Sequence, residues 1–553
     1  MLAKAPAVAQ APTADLAIGN AQIWTGMMRV KPGTAEPTAL AVIGDTIVAV
    51  GTDRDIRARM GPNTRMIDAE GRRVIPGITD SHTHLVSGGF SLVRLSLRDV
   101  RNREEFIRAV EMSAKDRKDG EWVQGRGWST ESWHKPDSPN KSWLDPVTPT
   151  KPVFLNRMDG HQALVNSAAL KLAGIDKSGP PDPTGGEIER DPATREPTGI
   201  LKESAMGLVS KFIPKPKPEQ RVEALLRAVT HANTFGVTAA HDMCDLEDVA
   251  AFREAAKLGL LTMRITAYVS VEDWAGHLDQ IVKLKEETAD DPWVRVVGFK
   301  GYMDGSLGSR TAYMREPFAD AAPTSPYPRG QLTAFASSAS FVDTVAKADA
   351  AGLQLAVHAI GDEAAHLLLD AYEQAAKRNG RRNARHRIEH AQHLLVPDLL
   401  RFQSLGVVPS MQPFHKADDG RYAEKALGPN RLKGAYAFQQ LSGMGALVVF
   451  GSDWPVVTIN PFAGIHAAVT AETVSGQVWL PTHSIEAAEA LRFYTANPPR
   501  AVHQDKRLGT IEEGKLADLL ILAHDPLTIP AERLADVKVA YTIVGGKVAY
   551  GAK

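Results

Sequence analysis

With one cysteine, Cys244, in 553 residues, the chain can form no intrachain disulfide and no Cys-rich zinc site. That scarcity leaves the compartment open. No apolar run approaches the roughly 18 residues of a membrane-spanning helix, which argues against a membrane partner. Net charge is almost absent: Lys+Arg 64 against Asp+Glu 65 leave −1. A global electrostatic preference for nucleic acid or an anionic surface is therefore removed. The Gly305–Gly308 segment has neither the spacing nor the following Lys-Ser/Thr of a phosphate loop. No internal repeat is present. Residues Met1 to Ala11 are Ala/Pro-rich and lack both a charged n-region and an apolar h-region. Two readings stand for them. Residues 1–14 are a disordered leader on a cytoplasmic protein, or the remnant of an export signal on a periplasmic one.

What is present is 43% hydrophobic residues, enough for a substantial core, arranged in short apolar strands that end in polar side chains. Val74 to Ser81 runs into His82 and His84, Val296 to Phe299 into Lys300, and Leu353 to Val357 into His358. Arg387 to Glu389 runs into His390, and Leu447 to Ser452 into Asp453. With Val237–Asp242, Met263–Val269 and Val407–Met411 this makes eight strands. Helical stretches such as Glu219–Phe235, Phe341–Ala351 and Glu363–Lys377 separate them. Such alternation predicts an α/β fold, a distorted (β/α)8 TIM-type barrel over residues 74–503. Residues 85 to about 218 are too long for an ordinary connection. They read as an inserted cap, with a strand at Val153–Arg157. Residues 15–73 and 504–553 are strand-rich and read as one small β-sandwich built from both termini, with Gly44-Asp45 as a hairpin turn.

In a parallel barrel, residues at strand C-termini converge on one face. Four imidazoles, a carboxylate and a lysine meeting there read as a site for two divalent cations. Strand alternation puts Lys300 on one face with Val296 and Gly298, and His358 with Gln354 and Ala356. His82-Thr83-His84 presents two rings on one side of an extended chain. Lys300, if desolvated, has a neutral amine able to react with carbon dioxide, and the carbamate can bridge two cations; the alternative is a buried ion pair with Asp304. Asp453 is a ligand and a proton acceptor, or a plain turn aspartate. His161 in the cap polarises a carbonyl or holds the cap. Trp128, His241 and Arg310 are further candidates for substrate contact, with Glu203 and Arg431 behind them.

The run Pro76–His84, Lys300, His358, Arg387–His390 and Gly451–Asp453 resembles the amidohydrolase superfamily. Asp159-Gly160-His161, Asn166–Leu170, Gly185–Glu187, Pro197–Gly199, Asp304–Gly308 and Leu508–Asp518 look closest to the branch that includes N-substituted formamide deformylases. The resemblance implies a metal-dependent hydrolase acting on carbon–nitrogen bonds other than peptide bonds. It places His82 and His84 on one metal and His358 and His390 on a second. A carbamate on Lys300 lies between them, and Asp453 serves as ligand and proton shuttle. Zinc is the expected metal, with iron and manganese as alternatives. The expected reaction is cleavage of an amide of a small organic molecule by attack of a metal-bridging hydroxide. An esterase, lactonase or deaminase on the same platform is the rival, and a non-catalytic binding protein on the same scaffold a further one. Whether the chain forms a homo-oligomer stays open.

Overall fold

The structure is a computed structural model that describes residues 13–27, 33, 35–131, 133 and 137–551. Most of the 1–14 leader lies outside the described residues. Eight parallel strands form the central sheet: β1 (Ile78–Thr83), β2 (Val237–Cys244), β3 (Arg264–Ser270), β4 (Val294–Tyr302), β5 (Gln354–Ala359), β6 (Arg387–His390), β7 (Val408–Met411) and β8 (Val449–Phe450). Each pairs with the next in chain order. The ring closes from β8 to β1 through a parallel bridge between Thr83 and Trp454. Asp453 N–H donates to the His82 carbonyl at 2.7 Å, and His84 N–H to the Trp454 carbonyl at 2.9 Å.

The barrel is packed from both sides. Outward residues such as Ile265, Phe299, Val357 and Ile388 join the core formed with the surrounding helices, while Tyr268, Val297 and Ala356 fill the interior. In β4 the structure departs from the alternation read from sequence. The register of β4 against β3 slips after Val296, opposite Ala267 and Tyr268, so that Val297 has no partner there. Val296 therefore faces the helices and Val297 the interior. Such a bulge re-aims the side chains beyond it, and Lys300 still arrives inside.

The segment from Val74 also divides. Arg73–Pro76 pairs with Leu519–Leu522 of the C-terminal strands, and only Ile78–Thr83 enters the barrel. Gly77 marks the break: a Cβ there would meet Thr238 Oγ1 at 2.2 Å. Both termini build a sandwich of a four-stranded and a five-stranded sheet. Its core joins Leu16, Ile18 and Val42 to Leu519, Ile521 and Ile543. The Gly44-Asp45 turn joins Ala39–Ile43 to Thr46–Gly51.

After β1, the helix Leu85–Ser91 packs on Pro218–Asn233, part of the helical layer. Between them stands a mixed six-stranded sheet running from Leu95–Ser96 to Pro197–Glu203. It has its own aromatic core, in which Phe106 and Trp143 meet edge to face.

Candidate metal centre

At the C-terminal ends of the barrel strands, His82, His390 and Asp453 bring one ligand atom each to within 4.8 Å of one another. The other three expected ligands close around them. His84 Nε2 lies 3.2 Å from Asp453 Oδ1, and Lys300 Nζ lies 3.4 Å from His82 Nε2. The ring of His358 is 4.4 Å from that of His390. All but His84 are buried.

The tautomers are fixed from outside. His82 Nδ1 meets the Glu389 carboxylate at 2.6 Å, and His84 Nδ1 the Met243 carbonyl at 2.8 Å. His390 Nδ1 meets Gln412 Oε1 at 2.8 Å, and His358 Nε2 the Gly305 carbonyl at 2.9 Å. Each acceptor takes the proton-bearing nitrogen, so every ring keeps a lone pair on its other nitrogen. Burial, followed by the Lys300 charge, pushes His82 down to about 4. Burial also carries His358 and His390 well below the usual histidine value, with His161 and then Lys300 acting next on the first and His358 on the second. Neutral imidazoles are what metal ligation requires.

Burial would raise Asp453, but a proton on the Nε2 atoms of His82 and His84 that face it holds its carboxyl well below the usual range before metal takes those nitrogens. Lys300 is pushed down to about 8, mainly by burial. Asp304 is not its partner. That carboxylate accepts from the backbone N–H groups of Tyr313, Ile360 and Gly361 at 2.8–3.0 Å.

Two backbone positions are strained in the service of this cluster. His390 has φ +73 and Asp453 φ +60, a region costly for side chains other than glycine. Along β6, Arg387 and Glu389 point inward, which would send His390 outward. The left-handed turn at His390 and Ala391 brings it back to the mouth. Gly451 gives Asp453 its approach, since a Cβ there would meet His82 N at 2.5 Å.

Beneath the ligands Arg387 is wholly buried. It grips Glu389 with Nε at 2.6 Å and Nη2 at 3.0 Å, and reaches Ser410 Oγ at 2.7 Å and Tyr268 OH at 3.3 Å. Burial would raise Glu389, but Arg387 and then His82 outweigh it and keep it ionised. Replacing Arg387 with Met strands that anion in the core. The expected cost is about 3–5 kcal/mol, read as a lower urea midpoint, together with weaker metal retention because His82 loses its anchor. An unchanged midpoint would show that Glu389 is neutralised by something else.

Of the other predicted contact residues, the structure brings only His161 to the centre. Its ring lies 4.9 Å from His358, and its Nδ1 is 3.0 Å from Glu203, which also accepts from Thr311. Burial lowers its pKa, but Glu203, then Asp159 and Asp304, raise it to about 9. The remaining candidates are placed elsewhere. Trp128 packs in the cap core, its indole N–H on the Leu155 carbonyl. His241 lies deep in the barrel, with Nδ1 2.8 Å from Arg387. Arg310 is paired with Asp320, and Arg431 binds the Glu316 and Pro317 carbonyls. His415 was not among the expected residues. Its ring stacks on His390 at 5.9 Å, and its Nε2, buried without a hydrogen bond, faces Asp453 Oδ2 at 3.7 Å. It follows β7 in the helix Pro413–Asp419, and no spacing to another ligand marked it.

The sequence profile of the amidohydrolase family matches residues 65–550. Protein LONG AFTER FAR-RED 3 of Arabidopsis thaliana is 36% identical over 97% of this chain and 92% of its own length. The N-substituted formamide deformylase of Arthrobacter pascens is 29% identical over 97% of this chain and 98% of its own. A solved structure described as an uncharacterized metal-dependent hydrolase from Pyrococcus furiosus superposes with a TM-score of 0.71 at 29% identity. That likeness covers 93% of this chain and 100% of that one.

Proposed function

The chain belongs to the amidohydrolase family, and from that premise we propose that it hydrolyses an amide, or a related C–N bond, of a small organic molecule. The observation that carries this reading is the tautomer pattern. Four imidazoles each commit one ring nitrogen to an outer acceptor, and a carboxylate and a lysine join them. That donor set fits divalent ions of the zinc type. His82 and His84 would hold one, His358 and His390 a second, with Asp453 and a carbamate on Lys300 completing the set. Ions held there would polarise the carbonyl and bring the pKa of a bound water toward about 7.

The chain's own groups then divide the proton work. Asp453, ionised beside His84, accepts the proton of the attacking water and passes it to the departing nitrogen. His161, kept protonated by Glu203, offers Nε2–H to the carbonyl oxygen as charge builds there. The resemblance to a formamide deformylase supports N-acyl compounds as the first to test.

The test combines metal analysis of the purified protein with a panel of N-formyl, N-acetyl and N-aryl-acyl amides alongside matched esters. Amide turnover that falls at least about 100-fold on chelation and returns with zinc is the expected result. Full activity after exhaustive chelation would end the metal reading, and ester-only turnover the C–N reading.

A further inference from the structure

Two cavities meet at the metal centre and differ greatly in size. The inner one, about 40 Å3 and lined by His161, His390 and Asp453, has room for about three water-sized groups. The outer one, about 640 Å3, shares Met158 and Asp418 with it and reaches the surface at Val474, which is 47% exposed. A substrate whose reacting carbonyl sits among the ligands therefore places only a small group inside. The rest of it lies in the outer cavity.

Charge does not select what fills that cavity. Its lining carries three arginines and three acids. Arg421 pairs with Asp418, Arg101 lies 3.8 Å from Asp99, and Glu131 is held by Arg157. Arg98 is committed to the Val456 carbonyl. The apolar lining, by contrast, has nothing to pack on. Among the described residues, Met158, Phe414 and Val474 join none of the apolar cores. Neither does Val457 on the wall of the inner pocket.

The backbone beneath these side chains is nevertheless fixed. Met158 follows the cap strand Val153–Arg157, with its N–H on the Trp128 carbonyl at 2.9 Å. Phe414 stands half-buried on the helix Pro413–Asp419. Val474 is fastened to that same helix, its N–H donating to the Ala417 carbonyl at 3.0 Å. The Thr473 N–H closes the turn on the Gln477 carbonyl at 2.7 Å. Apolar side chains held on rigid backbone around a cavity, beside a cluster of converging polar groups, are the ordinary make-up of a small-molecule site.

We propose that Phe414, Val474 and Met158 form the specificity wall of the substrate site, and that the group they take is an uncharged alkyl or aryl chain attached to the amide. The proposal rests on the hydrolase reading above and narrows it. These side chains touch the part of the substrate away from the reacting carbonyl, and the bond-breaking groups remain those of the barrel.

Calorimetric binding to the metal-loaded protein tests it with two homologous series, N-alkyl acetamides and N-methyl alkanamides, with chains of two to eight carbons. Weak members are measured by displacement of the octyl compound. In at least one series affinity is expected to rise about 2- to 4-fold per methylene over at least three carbons. Phe414→Ser and Val474→Asp should each flatten that rise and leave the shortest members unchanged. Val474 is exposed and keeps its backbone bond, so Val474→Asp reports even where Phe414→Ser fails to fold. Flat affinity in both series overturns the assignment. So does an unchanged rise in either folded variant, or a loss as large for the shortest chains as for the longest. Turnover on the same compounds separates the two claims. Chain-length-dependent binding without hydrolysis of any member sinks the hydrolase reading and leaves the wall in place, whereas hydrolysis without a chain-length preference does the reverse.

Discussion

Replacing Lys300 with alanine is expected to strip most of the bound metal and to cut turnover about 1000-fold, the rate equivalent of about 4 kcal/mol. The argument begins with burial. Lys300 lies near the end of β4 at 1% exposure, with Nζ 4.9 Å from the centre of the Tyr302 ring and, among the described residues, without a carboxylate in hydrogen-bonding contact. At a pKa of about 8, half of its amine is neutral at pH 8, where an ordinary lysine is only about 0.3% neutral. Only the neutral amine adds to carbon dioxide. The ammonium first gives up one proton, the Nζ–C bond then forms with loss of a second, and a cation becomes an anion among four histidines.

Reconstitution should therefore depend on bicarbonate and should quicken as pH rises from 7 through 8. The Lys300→Ala protein should respond to neither. Metal content by mass spectrometry, with activity followed in parallel, checks both. Equal loading of the metal-free protein in carbon dioxide-free and bicarbonate-containing buffer would remove the carbamate, and full metal content in Lys300→Ala would remove the lysine from the ligand set.

The barrel was legible because its strands announce themselves twice, by an apolar run and by the polar residue that ends it. Strand ends at His82, Lys300 and His358 follow from that pattern alone. The position in β6 that breaks alternation explains part of what was not legible. His386 obeys β6 parity and packs outside the barrel, stacked on Tyr372 and bonded to Asp349. His390, four residues on, would do the same but for its left-handed backbone. Glu389, adjacent to it in sequence, is the residue that turns inward to hold His82. No local pattern marks which of these neighbours becomes the ligand and which the anchor.

His241 failed for a related reason. It does lie on a barrel strand and it does point inward, but at the depth of Arg387, below the mouth. Depth in a barrel depends on the stagger between strands, which a single sequence does not display.

Converting Asp453 to Asn should separate metal retention from catalysis. Asparagine keeps the shape and tolerates φ +60 at least as well as aspartate, so the bridge that closes the barrel beside Thr83 survives. What disappears is the charge between His82 Nε2 at 3.5 Å, His84 Nε2 at 3.2 Å and His415 Nε2 at 3.7 Å. Four imidazoles and Lys300 remain to hold metal, so more than half of the occupancy is expected to persist. The proton carrier does not remain, and kcat should fall about 1000-fold, within the range of general acid–base catalysis, with KM changed far less. His82 and His84 hold the Asp453 pKa well below the ordinary carboxylate range. Protonation of this group therefore cannot limit the native enzyme near neutrality. The residual activity of Asp453→Asn should rise toward alkaline pH as solvent hydroxide replaces the lost base. Metal analysis with kcat measured from pH 6 to 10 decides it: near-native kcat at full occupancy would take the proton transfer away from Asp453 and pass it to His415, the remaining buried base at van der Waals distance.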